Sequence, residues 1–440
     1  MNSSRYISDM WQAWWPLVMF TVAWLWSSSA AWNVNDKASL SNWRSDMWAD
    51  ASGYYVYLPG LVHHGMRATG WPDSTPERFG HGFQLDTLSD RVLTKYTVGP
   101  AILLFPFYLV AEALTQGSSI DGLTTSHRRL MEVGAAFYWS LAVALLTLAF
   151  LRKWPAPAWV PLVAIALTCW GSNVIYYVIR MPLYSHVYSF FCVSLALWSL
   201  FSGLDGTKSG LKRFLFHASC AMIIVIRPVD VIAVIGLYIW IWFERPQLLA
   251  KPLFWITQAA MMLLFASPQM IYWKFVHGDW LIYSYGSEGF TEWRKPHFFE
   301  MLFAPGNGWI PNAPAVLLLP FGLWSAYRVQ KWMPWLIGGI LAAIIYACAS
   351  WHQWHFGCSY GARPLVQYMP FVAITLHLFL SFKDPLTRRW HYALLPIFLI
   401  LAFATYRLAL QYDICYAWEH TSWRYFIRNA LLAFFGKSEF

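Results

Sequence analysis

The sequence predicts an all-α fold, a polytopic transmembrane helical bundle of about eleven spans. Three observations carry this. The 440 residues are 58% hydrophobic and only 12% charged, a balance that describes a chain solvated by lipid rather than a soluble globule. Apolar segments of spanning length, or nearly so, recur from one end to the other. Lysine and arginine, which outnumber the acids to give a net charge of +9, are scattered between those segments. They form no basic patch, which speaks against a nucleic-acid partner and for orientation in a membrane. No tandem repeat, low-complexity tract or soluble domain interrupts the pattern, so residues 1–440 read as a single transmembrane domain.

In chain order, the first apolar block is 11–31. It ends "SSSAAW", faintly like a signal-peptide cleavage site, but so many apolar segments follow that it reads as a retained anchor. Next come 98–116, 131–151, 158–179 and 187–201. The stretch 214–243 carries "RPVD" at 227–230 and reads as two short helices joined by that polar turn. Segments 252–272, 309–327, 332–350, 364–381 and 391–409 complete the set.

The connections at 152–153, 202–213, 244–251, 328–331 and 383–389 hold twelve basic residues, whereas those at 180–186, 227–230, 273–308 and 351–363 hold six although they are longer in total. The two sets separate onto opposite faces if 98–116, with Pro100 and Pro106, dips into the membrane without crossing it. The basic face is then cytoplasmic. This puts the N-terminus inside and a first loop of about 32–129 outside, together with the loops 273–308 and 351–363 and a tail 410–440. Within that tail "SWRYFIRNALLAFFGK" (422–437) reads as an amphipathic interfacial helix.

Cys169, Cys192, Cys220, Cys348, Cys358 and Cys415 show no metal-ligand spacing, and most fall in apolar segments as small core residues. The 29 tryptophans suit either interfacial belts or rings that stack on sugars.

The first outer loop contains "SDMWADASGYYVYLPGL" (45–61), where Asp46 and Asp50 stand four residues apart before a tyrosine run. On a helix that spacing sets both carboxylates on one face, and charge so close to a bilayer suggests a use. The later outer loops are dense in Trp, Tyr, His and Gly, with Glu288, Arg294, Lys295, His297, His352, His355 and Arg363 among them. Such loops suit saccharide binding or interfacial packing. His352 and His355 are three apart and lack a clear third ligand for zinc.

A first span followed by a long acidic outer loop and a membrane-dipping helix resembles the GT-C class of polytopic glycosyltransferases, the branch with the protein O-mannosyltransferases and the lipid A aminoarabinose transferases. The resemblance covers most of the chain in layout, through short motifs. It implies that Asp50 of "DASGYY" is the first-loop acid of the active site, with Asp46 a second candidate. Lys95 of "KYTVGPAILLFPF" (95–107) and Arg128 and Arg129 of "SHRRL" (126–130) match cations that contact a lipid phosphate. Arg180 at the same face, and Arg363 of "SYGARP", similar to the class's "SFGxR", are further phosphate contacts. Each cation also has a plainer reading, a side chain snorkelling to headgroups. Tyr54, Tyr55, His186, Glu288 and His297 are candidate substrate contacts. His186, in "RMPLYSHVYSFF" (180–191), stands where the class usually has a second acid, which weakens a hard Mg²⁺-type site. A divalent cation held by Asp46, Asp50 and His186 is left open.

The expected function is transfer of a sugar from a polyprenyl-phosphate donor to a lipid, glycan or protein acceptor on the periplasmic, outer face of a bacterial inner membrane. Direct displacement makes the reaction inverting. The acceptor must give up a proton, which a positioned carboxylate takes, and the departing phosphate needs cations or a metal. Two alternatives stand beside it. An O-antigen polymerase or ligase commonly relies on a large late loop rich in Arg and His. A lipid-linked sugar flippase or other transporter predicts repeat symmetry and ionisable residues within spans, and neither is clear here.

Overall fold

The computed structural model describes residues 3–35, 45–116, 121–205, 209–412 and 421–437. Helices α1 (Ser3–Asn35), α2 (Asp50–Tyr55), α3 (Gly99–Thr115) and α4 (Thr125–Lys153) open the chain. They are followed by α5 (Trp159–Ile165), α6 (Val174–Ile179), α7 (Ser185–Phe201), α8 (Gly210–Ile226) and α9 (Val231–Glu244). The remainder are α10 (Pro252–His277), α11 (Leu319–Val329), α12 (Met333–Ala349), α13 (Met369–Ser381), α14 (Pro385–Gln411) and α15 (Trp423–Phe434). A hairpin of two three-residue strands, β1 (Gln84–Asp86) and β2 (Arg91–Leu93), is the β-structure among the described residues. Four described helices are long and apolar enough to cross a membrane: Thr125–Lys153, Pro252–His277, Arg363–Ser381 and Thr387–Gln411.

Two expected spans are broken. Residues 158–179 form α5, a π turn Ala166–Trp170 and α6. The break falls at Gly171, where a β-carbon would lie 2.3 Å from the Ala402 β-carbon, so glycine admits α14 at close range. Residues 309–327 divide into Trp309–Asn312, the 3₁₀ turn Pro314–Leu318 and α11, because Pro311, Pro314 and Pro320 each lack the amide that an uninterrupted helix needs. The expected two-helix reading of 214–243 is met by α8 and α9, joined by the turn Pro228–Asp230. The tail helix is present as α15.

The bundle has two chemically distinct ends. At one, Lys153 pairs with Glu244 at 2.6 Å, Arg245 with Asp205 at 3.2 Å and Arg328 with Asp384 at 2.8 Å, while Arg152 donates to Ser202 at 2.7 Å. These are the basic connections. At the other end Arg227 reaches Ser185 and Gln367 reaches Asp230, and Asn307 donates to the His355 carbonyl at 2.8 Å. The charge-poor connections thus meet one another, as the loop arithmetic requires.

Helix α3 runs antiparallel beside the first half of α4 only. Tyr138 donates to the Leu103 carbonyl at 2.7 Å, and nine residues further along α3 Glu112 meets His127 at 2.9 Å. Its N-terminus packs against the end of α8 at Ile226. Gly99 makes this possible, since a β-carbon there would lie 2.7 Å from the Ile226 backbone. Thr97 donates to the Ile226 carbonyl at 2.7 Å and the Val98 amide donates to Gln269 at 2.7 Å. These contacts fix the segment 94–99 across the ends of α8 and α10, directly under α2.

One expectation about the cysteines fails. Cys169, Cys192, Cys220 and Cys348 are free and buried, but Cys358 is disulfide-bonded. Cys415 lies outside the described residues.

Candidate active site

Asp50 opens α2, and two neighbours set its position. Ala49 has φ 53°, a left-handed conformation unfavourable for a residue with a β-carbon. Its amide donates to the Phe79 carbonyl at 3.0 Å and its carbonyl accepts from the Ser52 hydroxyl at 2.7 Å, which holds it there. Gly53 is the second neighbour. A β-carbon on it would lie 2.0 Å from the Tyr96 ring, so glycine lets Tyr96 lie against α2, its ring 4.7 Å from that of Tyr54.

From that position the Tyr96 hydroxyl donates to Asp50 Oδ1. The other carboxylate oxygen faces the Arg363 guanidinium at 2.9 Å. Arg363 begins the 3₁₀ turn Arg363–Tyr368 and lies over the rings of Tyr184 and Phe356, at 5.3 and 5.8 Å from their centroids. The carboxylate keeps 28% of its side-chain surface exposed, so it is anchored yet reachable. The Tyr54 and Tyr285 hydroxyls both sense Asp50, Arg227 and Arg363. Burial pushes both phenols up from their ordinary value, and that of Tyr96 rises further beside Asp50. These tyrosines are therefore protonated hydrogen-bond donors at neutral pH.

Lys95 stands at the rim. Its ammonium is held by both carboxylate oxygens of Glu288 at 2.6 and 2.8 Å and lies 5.4 Å from the Tyr285 ring centroid. Tyr184, Tyr96, Tyr285 and Arg227 were missed by reading the sequence. An arginine inside a 30-residue apolar stretch was the available signal for Arg227, and adjacency to Lys95 for Tyr96.

The expected acid ladder on one helix face is not present, because α2 starts at Asp50 and Asp46 lies in the turn before it. Asp46 is fully buried. Its neighbour is Glu132, which accepts from Asn35 at 3.1 Å. Two facing carboxyls in a dry site must share a proton, and burial first, then Glu132, holds the Asp46 carboxyl well above the usual range.

The three cations of the first loop do not converge. Arg128 and Arg129 lie 3.9 and 3.7 Å from Glu132, and Arg129 sits over Trp32, whereas Lys95 is with Glu288. Arg180 donates to the Leu410 carbonyl at 2.7 Å and ties α6 to the end of α14. Tyr55 is buried, donating to the Gly122 carbonyl at 2.7 Å. His186 is buried against Gln367 at 3.2 Å. His297 lies 3.8 Å from Glu300, with its ring 6.2 Å from Trp354.

Asp46, Asp50 and His186 do not form a common donor set, and no group of three His, Cys, Asp or Glu side chains that suits a metal ion occurs among the described residues. A metal does not fit the residues gathered here. An apolar groove of about 530 Å³ runs between α9 and α12, lined by Ile232, Ile235, Ile239, Trp335, Gly339 and Ile340 among others. Its upper end, Ile232, is two residues past Asp230.

The described residues form a polytopic helical bundle in which a carboxylate is held by an arginine at the end where the charge-poor connections meet. Among solved structures the chain is similar to ArnT from Cupriavidus metallidurans in the apo state, with a TM-score of 0.53 and 13% identity over 96% of this chain and 75% of that one. No family model matches the chain, and no curated protein matches it.

Proposed function

We propose that the protein is an integral membrane glycosyltransferase that moves a sugar from a polyprenyl-phosphate donor to an acceptor on the outer face of the cytoplasmic membrane. The observation that carries this reading is the Asp50 carboxylate, partly exposed while gripped by Arg363 and Tyr96. In the reaction an acceptor hydroxyl or amine attacks the anomeric carbon. The bond from that carbon to the phosphate oxygen breaks, the proton passes to Asp50, and polyprenyl phosphate departs with the bonding pair. One displacement inverts the anomeric centre.

Arg363 serves both halves of this exchange. As negative charge grows on the departing phosphate, a guanidinium fixed nearby stabilises it without reorganisation, and Asp50 exchanges an arginine contact for the acceptor's proton. The groove between α9 and α12 suits the apolar carrier chain, because its lining is apolar and its Ile232 end lies two residues past Asp230. The protonated tyrosines offer hydroxyl donors and ring faces to the sugar.

The test is transfer from radiolabelled polyprenyl-phosphate sugars in a lipid extract, with wild type and Asp50→Asn side by side. Labelled product from the wild type and its loss in the folded variant support the reading. Equal transfer by both removes Asp50 from the chemistry, and no transfer from any such donor overturns the assignment.

A further inference from the structure

At this end of the bundle Arg227 is a cation whose charge is poorly matched. Arg363 has a carboxylate at 2.9 Å and Lys95 has one at 2.6 Å. Arg227 makes one long hydrogen bond, from a terminal nitrogen to the Ser185 hydroxyl at 3.3 Å, and stands 3.7 Å from Asp230. Its Nε is buried without an acceptor, although a guanidinium carries five N–H donors. Burying a charge so poorly matched is costly unless something else completes it.

Asp230 cannot complete it alone, because its oxygens are already engaged. They accept from Ser189 at 2.8 Å, from Gln367 at 2.9 and 3.0 Å and from Tyr368 at 3.1 Å. Gln367 is itself braced by His186 at 3.2 Å. All of these side chains are buried. The acid is thus a rigid post beside Arg227, while Arg227 shares its Ser185 partner with Tyr54 and acts electrostatically on Tyr54 and Tyr285, the tyrosines on which Arg363 and Asp50 also act. Arg227 and Arg363 therefore both bear on the tyrosines beside Asp50.

Resting on the glycosyltransferase reading, we propose that Arg227 binds the donor's phosphate and that Asp230 is the residue that positions it. The chemistry calls for a second cation. A sugar phosphodiester carries one negative charge, and the phosphate gains another as the sugar leaves, so a site with Arg363 alone is one charge short. Arg227 supplies it, at the head of the groove between α9 and α12.

Farnesyl phosphate and farnesol are the probes, titrated into the purified full-length protein in detergent, because they differ only in the phosphate. Wild type binds the phosphate more tightly than the alcohol. Arg227→Ala loses about ten- to a hundredfold in affinity for the phosphate and keeps its affinity for the alcohol, while Arg227→Lys retains part of the difference. Asp230→Asn keeps the shape of the post and shows a smaller loss, again confined to the phosphate. Unchanged phosphate affinity in Arg227→Ala overturns this inference and leaves the glycosyltransferase reading standing. Equal losses for both ligands also overturn it, since they mark a structural role. A wild type that does not distinguish phosphate from alcohol defeats the wider reading.

Discussion

Asp46 and Asp50 are four residues apart, yet their surroundings have almost nothing in common. Asp50 keeps part of its carboxylate in contact with solvent and shares it between an arginine and a tyrosine. Asp46 is sealed in the interior against a second acid, Glu132. The left-handed backbone at Ala49 separates them, turning the chain between the two side chains so that one enters the bundle and the other faces the outer loops. A carboxylate able to accept a proton in each cycle must be reachable and anchored, and Asp50 is both. Asp46 suits a different place, a buried carboxyl that desolvation and Glu132 bias towards its protonated form.

The largest expected contrast is in turnover. Asp50→Asn keeps the shape and removes the base, so the rate at saturating donor falls about 10²–10⁴-fold, while Asp46→Asn stays close to wild type. Steady-state transfer by the two folded variants checks this, and a reversed order would exchange their roles. Next comes Arg363. Arg363→Ala costs about ten- to a hundredfold through the lost charge-assisted contact, and Arg363→Lys recovers part of it, limited by the loss of the planar fork. Equal activity in all three forms would detach the arginine from Asp50's function.

A third variant lies away from both acids. Gly339 lines the groove, and a β-carbon there meets nothing within 4 Å, so Gly339→Leu fills space without strain. Its expected effect is a rise of about five- to thirtyfold in KM for a long-chain donor, with a short-chain donor unaffected. Equal effects on both donors would take the carrier chain out of the groove.

The smallest effect concerns stability. A carboxyl that holds its proton more tightly in the folded protein stabilises the fold below its unfolded value near pH 4, and that contribution is lost as pH rises through the folded value. Asp46 is such a group, facing Glu132 and Arg128. Asp46→Asn is therefore more stable than wild type at pH 7.5, with the gap closing towards pH 4. Thermal unfolding in detergent across that range checks it. A variant less stable than wild type at neutral pH would mean that Asp46 is ionised and paired.

Much of the helical architecture was legible from the sequence because spans are written in long apolar runs. The expectation that 98–116 dips without crossing came from loop charge, and the structure adds that this helix packs beside α4 through Leu103 with Tyr138 and Glu112 with His127. The breaks at Gly171 and around Pro314 were harder to read. Hydropathy averages over single residues, whereas a break depends on one close approach or one missing amide. At the site, Asp50 and Arg363 were singled out from short motifs that resemble the GT-C class, and the structure sets the two side chains 2.9 Å apart.

Arg128 and Arg129 were grouped with Lys95 because all three lie in one loop. Glu132, four and three residues further along the same helix, offered a nearer partner. Arg227 was read as part of a turn. Its connection to Tyr54 and Tyr285 spans more than fifty residues in either direction, which no local pattern expresses.

The account rests on Asp50 acting as a base, and an acceptor with no proton to lose tests that most directly. Azide attacks the anomeric carbon as an anion, so Asp50→Asn, supplied with a bound lipid-linked donor and excess azide, is expected to form the inverted glycosyl azide at a rate near that of wild type while failing with the natural acceptor. A variant as slow with azide as with the natural acceptor would show that Asp50 does something other than take a proton, and the proposed mechanism would be wrong.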